Sequence, residues 1–148
     1  MIPIESIPAP LTPEDRAGKR RDRLVLTSEE RRWPRGRFRT EGGRELGFAL
    51  PTGAYLEPGQ TVSAGEDWFV VVEAACEPVL AVSPASPRDA VRIAFEIGNR
   101  HSPLAIDGAR LLVPDDPAMT QLFDRLGVTW RRETAAFDPV GKAHRHEH

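Results

Sequence analysis

The four histidines of this 148-residue chain fall in two places. His101 closes the run Gly98-Asn99-Arg100-His101, at the end of a helix-like stretch. His144, His146 and His148 lie in the final segment Ala143-His144-Arg145-His146-Glu147-His148. Neutral imidazole is the commonest nitrogen donor to zinc, nickel and copper. One histidine in an ordered element and three on a tail expected to be mobile suit a metal that is picked up and then given away. They suit a structural metal poorly. A lone His101 cannot hold an ion, but a twofold axis beside it would present two imidazoles from two chains. Tail imidazoles would then fill further positions around a nickel-like ion. Arg145 and Glu147 interrupt the tail histidines, which is unlike an expression tag.

Other chemistry finds little support. There is no glycine-rich phosphate loop, no nucleophile elbow and no histidine pair at helical spacing with a glutamate base, so no enzymatic activity is expected. A hydrolytic metal at His101 would need a carboxylate or second fixed histidine nearby, and no motif supplies one. Asp115 and Asp116 are adjacent, so they point apart, and a helix N-terminus favours acids in any case. The single Cys76 can form neither an internal disulfide nor a thiolate zinc site and reads as a small buried filler. Such cysteine usage fits a reducing cytoplasm. The start Met1-Ile2-Pro3-Ile4-Glu5 has no basic, apolar signal character, and no apolar run approaches a membrane span. A cytoplasmic protein with no membrane partner is expected.

The net charge of −2 conceals an asymmetry. Residues 1–40 carry ten Lys/Arg against six Asp/Glu, and residues 41–148 carry ten against sixteen. The basic stretch holds Arg20, Arg21, Arg23, Arg31, Arg32, Arg35, Arg37 and Arg39. It reads as arginine-bearing, solvated strands, because no aromatic stacking motif is interleaved for nucleic acid. The alternative is a binding module in which this basic half holds an acidic peptide or a nucleic acid.

The positioning elements make an α+β chain in two domains. Residues 1–20, rich in proline and charge, are expected to be a loose lead-in. Strands follow at Asp22–Thr27, Arg35–Thr40, Glu45–Leu50 and Trp68–Ala74, separated by Gly/Pro turns, so residues 1–74 read as a small all-β domain. Residues 75–140 change character. Glu77–Ser83 is a strand, and Ser86-Pro87 starts a helix with Ala90, Ile93, Ala94 and Ile97 on one stripe, near which His101 falls. Gly98 permits a frayed or bent last turn. Pro103–Ile106 and Arg110–Val113 flank the tight-turn signal Asp107-Gly108. Asp116-Pro117 opens a second helix that Gly127 stops, and Val128–Arg132 is the last strand. The order β-α-β-β-α-β is the ferredoxin-like split unit, followed by the flexible tail at 141–148.

At these residues the chain resembles a known family. Gly98-Asn99-Arg100-His101, Leu111-Leu112-Val113-Pro114-Asp115-Asp116-Pro117, Leu126-Gly127 and Phe137-Asp138-Pro139 look like the UreE family of urease accessory nickel metallochaperones. Leu24–Thr27, Arg35-Gly36 and Leu50-Pro51-Thr52-Gly53 extend the likeness over about residues 22 to 148. The resemblance implies a homodimer, with a β-rich, peptide-binding-like N-terminal domain and a ferredoxin-like metal-binding domain. It implies delivery of nickel to apo-urease together with a GTPase and other accessory proteins. It assigns Ni2+, as cargo, to His101 across the dimer interface, with help from His144, His146 and His148. Zn2+ or Cu2+ would compete for the same donors. Some relatives have a histidine where Glu96 stands and further histidines within Val113–Asp116. This chain has neither, and its tail is brief, so nickel transfer is implied rather than nickel storage.

Overall fold

The computed structural model describes residues 1–141, and the chain divides after Ala75 into two compact units. His144, His146 and His148 lie outside the described residues.

The first unit holds two three-stranded sheets. One has strand β1 (Ile2–Ile4) beside β4 (Glu45–Ala49), with β3 (Arg35–Arg39) on the other side of β4. The second places β6 (Trp68–Ala74) between β2 (Arg20–Leu26) and β5 (Thr61–Ala64). Alternation decides which side chains go in. Leu24 and Leu26 of β2 are buried while Arg21, Arg23 and Val25 are exposed, and Leu46 and Phe48 do the same on β4. Ile4, Leu24, Leu26, Leu46, Phe48, Val62, Val70 and Val72 form one core drawn from both sheets.

The lead-in and Arg31 differ from expectation. The supposed loose lead-in contains β1, paired in parallel with β4 through Ile2↔Leu46 and Ile4↔Phe48. It also contains the short helix α1 (Pro13–Arg16), opened by a reciprocal Thr12–Asp15 capping box. Proline-rich composition masked a three-residue strand whose partner lies far along the chain. Arg31 is the second difference. It is fully buried, donating to the Leu26 carbonyl at 2.8 Å and to the Tyr55 hydroxyl at 3.2 Å, so one arginine of the basic stretch is a structural bolt.

The second unit runs β7 (Cys76–Val82), α2 (Pro87–Asn99), β8 (Ala105–Asp107), β9 (Arg110–Pro114), α3 (Pro117–Leu126) and β10 (Trp130–Ala136). Its sheet order is β10-β7-β9-β8 with every pairing antiparallel, which is the ferredoxin-like arrangement. Ile93 and Ile97 of α2 and Met119, Leu122 and Phe123 of α3 pack on Leu80, Val82, Leu111 and Val113. Val79, Ala81, Ala105, Leu112 and Phe137 form a smaller cluster of their own. Cys76, expected inside, is exposed. It pairs with Ala136 at the end of the ladder, past the buried run Val79–Val82.

Candidate metal centre

Helix α2 is built to deliver His101 to a fixed point. Ser86 caps its start, accepting from the Asp89 amide at 3.1 Å, and Pro87 fills the first turn. Buried Ile93 and Ile97 lock the inner face. Gly98 stays within the helix, which continues to Asn99. The chain leaves the helix at His101 itself, with φ +56, as the single non-glycine residue at positive φ among those described. Its amide donates to the Gly98 carbonyl at 3.0 Å, and the next amide, of Ser102, reaches back to Ile97 at 3.4 Å.

Helix α3 ends by the same pair of bonds. Gly127 turns out at φ +72, with its amide on Asp124 at 3.2 Å and that of Val128 on Phe123 at 3.1 Å. One helix therefore uses glycine where the other uses histidine. A left-handed conformation costs an L-residue roughly 1–2 kcal/mol relative to its normal range, and glycine avoids it. Strain of this kind persists where the side chain is wanted for its own chemistry. We therefore expect His101→Gly to raise the melting temperature of the metal-free protein by roughly 2–4 °C while removing the imidazole. Calorimetry checks it, and a lower melting temperature would show that the imidazole supports the fold.

The surroundings favour a cation. His101 lies at the carbonyl end of a 13-residue helix, where the helix dipole is negative. Its side chain is exposed. Arg100, its neighbour, is drawn back along the helix by Glu96, with 3.0 Å to the carbonyl and 3.1 Å to the carboxylate. No cluster of three or more His, Cys, Asp or Glu side chains suited to a metal occurs among the described residues. Asp116 caps α3, accepting from Ala118 at 2.9 Å, and Asp115 pairs with Arg132 at 3.2 Å, so the adjacent acids serve separate structural ends.

The outer face of α2 carries what the sequence reading missed. Val91 and Phe95, one turn apart, are 70% and 65% exposed, and Ile106 on β8 is 63% exposed. Asp89 and Arg92 border them as a 3.0 Å pair, and that hydrogen bond holds the Asp89 carboxyl below the usual carboxylate range. Gly98 follows Val91 by seven residues, on the same side of the helix. A Cβ placed on Gly98 would meet nothing within 4 Å. Mid-helix glycine costs about 1 kcal/mol against alanine, and no neighbour in this chain requires it. Three helical positions with apolar or absent side chains are a signal that periodicity could have given, since Val91, Phe95 and Gly98 stand at i, i+4 and i+7.

Comparisons with known proteins cover both units. The N-terminal domain model of the UreE urease accessory protein matches residues 4–75, and the C-terminal domain model matches residues 77–148. A urease accessory protein UreE of Ralstonia nicotianae is 35% identical over 134 residues, which are 88% of this chain and 64% of that protein. One from Synechococcus is 38% identical over 114 residues, 77% of this chain and 76% of that protein. A bifunctional urease accessory protein UreEF of Bordetella bronchiseptica is 38% identical over 131 residues, 84% of this chain and 30% of that longer protein. The chain thus spans a little under two thirds of the Ralstonia protein, about three quarters of the Synechococcus one and under a third of the bifunctional one.

Proposed function

The chain belongs to the UreE family of urease accessory proteins, and on that premise we propose that it is a non-enzymatic nickel metallochaperone whose ion is shared by two copies through His101. The observation that carries the reading is His101 at positive φ on the end of helix α2, with no metal-binding cluster of donors beside it among the described residues. A twofold axis at that point doubles the imidazole count without further sequence. Val91, Phe95 and Gly98 support the same axis. They offer an apolar surface and a bare backbone on the helix that ends at His101.

His144, His146 and His148 then add donors from the tail and are the first to be withdrawn when the ion is passed on. Neutral imidazole donates through its lone pair, so binding is linked to proton release. Nickel is the proposed cargo and apo-urease its destination, reached with the accessory GTPase. The UreEF relative, whose name joins two accessory functions in one chain, supports work alongside other accessory proteins. Zinc and copper are competitors, since copper exceeds nickel at most nitrogen sites, and selectivity must come from geometry and supply. Among the described residues, no helix is long and apolar enough to cross a membrane. We place the protein in the cytoplasm on the proposed role in urease assembly.

Native mass spectrometry during nickel titration tests the geometry. One tightly held ion per two chains is expected. Phe95→Glu should give monomers that keep their fold but lose this ion. A tight ion on each monomer would overturn the shared site.

A further inference from the structure

Strand β3 is an open sheet edge with an unusual set of side chains. Among the described residues it pairs with β4 alone. Thr40 donates to the Arg44 carbonyl and Leu50 to the Pro34 carbonyl, each at 2.8 Å. By antiparallel alternation, the even-numbered residues of β3 bond to β4. The amides and carbonyls of Arg35, Arg37 and Arg39 therefore point to the outer edge, and no backbone group among the described residues pairs with them. The same three residues are exposed and share one face of the sheet. Arg39 is paired with Glu45 at 2.6 Å, while Arg35 and Arg37 form no ion pair or hydrogen bond through their side chains among the described residues. On the opposite face, Phe38 packs against the core, and Trp33, 44% exposed, stacks on it at 6.1 Å between ring centres.

We propose that β3 is a docking edge for an extended acidic peptide, added as a fourth strand, with carboxylates toward Arg35 and Arg37 and apolar side chains toward Trp33 and Phe38. Strand addition draws affinity from main-chain bonds and selectivity from alternate side chains. Here both sources are carried by the same residues. Arginines on an edge also exclude the like-charged edge of a second copy, so the device selects by repulsion as well as attraction. Nucleic acid fits less well. The arginine face carries Glu45, Gly47 and Ala49 across the ladder, with no aromatic ring to stack a base and one carboxylate against phosphate. The other charged strand, β2, is not available in this way. The turn after β3 covers it, with the Glu41 amide on the Arg23 carbonyl at 2.9 Å.

The test uses the full chain without metal, so it is independent of the nickel reading. The probe is a fluorescein-labelled nine-residue peptide of alternating glutamate and valine, followed by polarisation at physiological salt. The wild type should bind it at least tenfold more tightly than the alternating lysine and valine peptide. Arg35→Glu combined with Arg37→Glu should lose at least tenfold, with an unchanged circular dichroism spectrum. Two further probes, N-methylated at the glutamates or at the valines, should differ sharply, because only one set of amides faces β3. Equal binding by those two would overturn strand addition. So would a single-stranded oligonucleotide that bound the same arginines more tightly than the acidic peptide, which would assign the face to nucleic acid. An unchanged double variant would also overturn the proposal.

Discussion

Replacing His101 by alanine is expected to abolish the nickel ion that we propose two chains share, whereas removal of residues 143–148 should leave one ion per two chains at reduced affinity. The asymmetry follows from symmetry and rigidity. Each His101→Ala chain removes one imidazole, so the proposed shared site would lose two donors at once, both on the end of α2 whose inner face is buried. On the proposed reading the tail histidines are supplementary donors, and water can take their coordination positions. The effect on fold is small, because the His101 side chain is exposed. Calorimetric titration with size-exclusion chromatography reads both quantities, and urease activation at limiting nickel reads the consequence. Both variants should remain dimeric. Equal nickel binding by wild type and His101→Ala, with loss only on truncation, would transfer the whole site to the tail.

How much of this was legible in the sequence depended on how local the cause was. Ser86-Pro87, Asp107-Gly108 and Asp116-Pro117 with Gly127 act within four residues of themselves, and each produced the cap or turn expected of it. Helix α2 was readable from Ile93 and Ile97 for the same reason. The strand β1 was not, since Ile2 finds Leu46 across the sheet and three residues carry no period. Strand β5 was missed because only Val62 of its four residues is buried and its register with β6 is irregular. Within the site, the motif ending at His101 was visible. Its backbone conformation was not, because histidine gives no turn signal and glycine three residues earlier gave a false one. Arg31 and Asp22 were unreadable as interior residues. A buried charge is decided by partners distant in sequence, such as Tyr55 for one and Arg44 for the other.

Asp22 sets the second large expectation. It occupies an inward position of β2 in line with Leu24 and Leu26, where a bare carboxylate would be costly. Four donors meet it: the Thr40 hydroxyl, the Arg44 guanidinium at 2.9 Å, and the amides of Gly42 and Arg23, each at 2.8 Å. Gly42 must lack a side chain, since its Cβ would fall 2.9 Å from the carboxyl. Arg44 is held from its other side by Trp68, 4.4 Å from the ring centre. Burial pushes the Asp22 carboxyl up, but the hydrogen bonds from Thr40, Arg44, Gly42 and Arg23 outweigh it and leave it below the ordinary carboxylate value. Its stabilising contribution is therefore fully present above the unfolded carboxylate range and fades as pH falls through the depressed folded value. Asp22→Ala strands a partly buried guanidinium and a buried hydroxyl, so it should destabilise the first unit by about 3 kcal/mol at pH 7. Asp22→Asn should cost less and should flatten the acid dependence, because it keeps acceptor oxygen without a titrating proton. Urea unfolding at neutral and mildly acidic pH, followed by tryptophan fluorescence, measures both. An acid slope in Asp22→Asn equal to that of the wild type would assign the pH dependence to other carboxylates. Since Asp22 ties the turn between β3 and β4 to β2, Asp22→Ala should also loosen the edge that carries Arg35 and Arg37, and weaken acidic-peptide binding without touching either arginine.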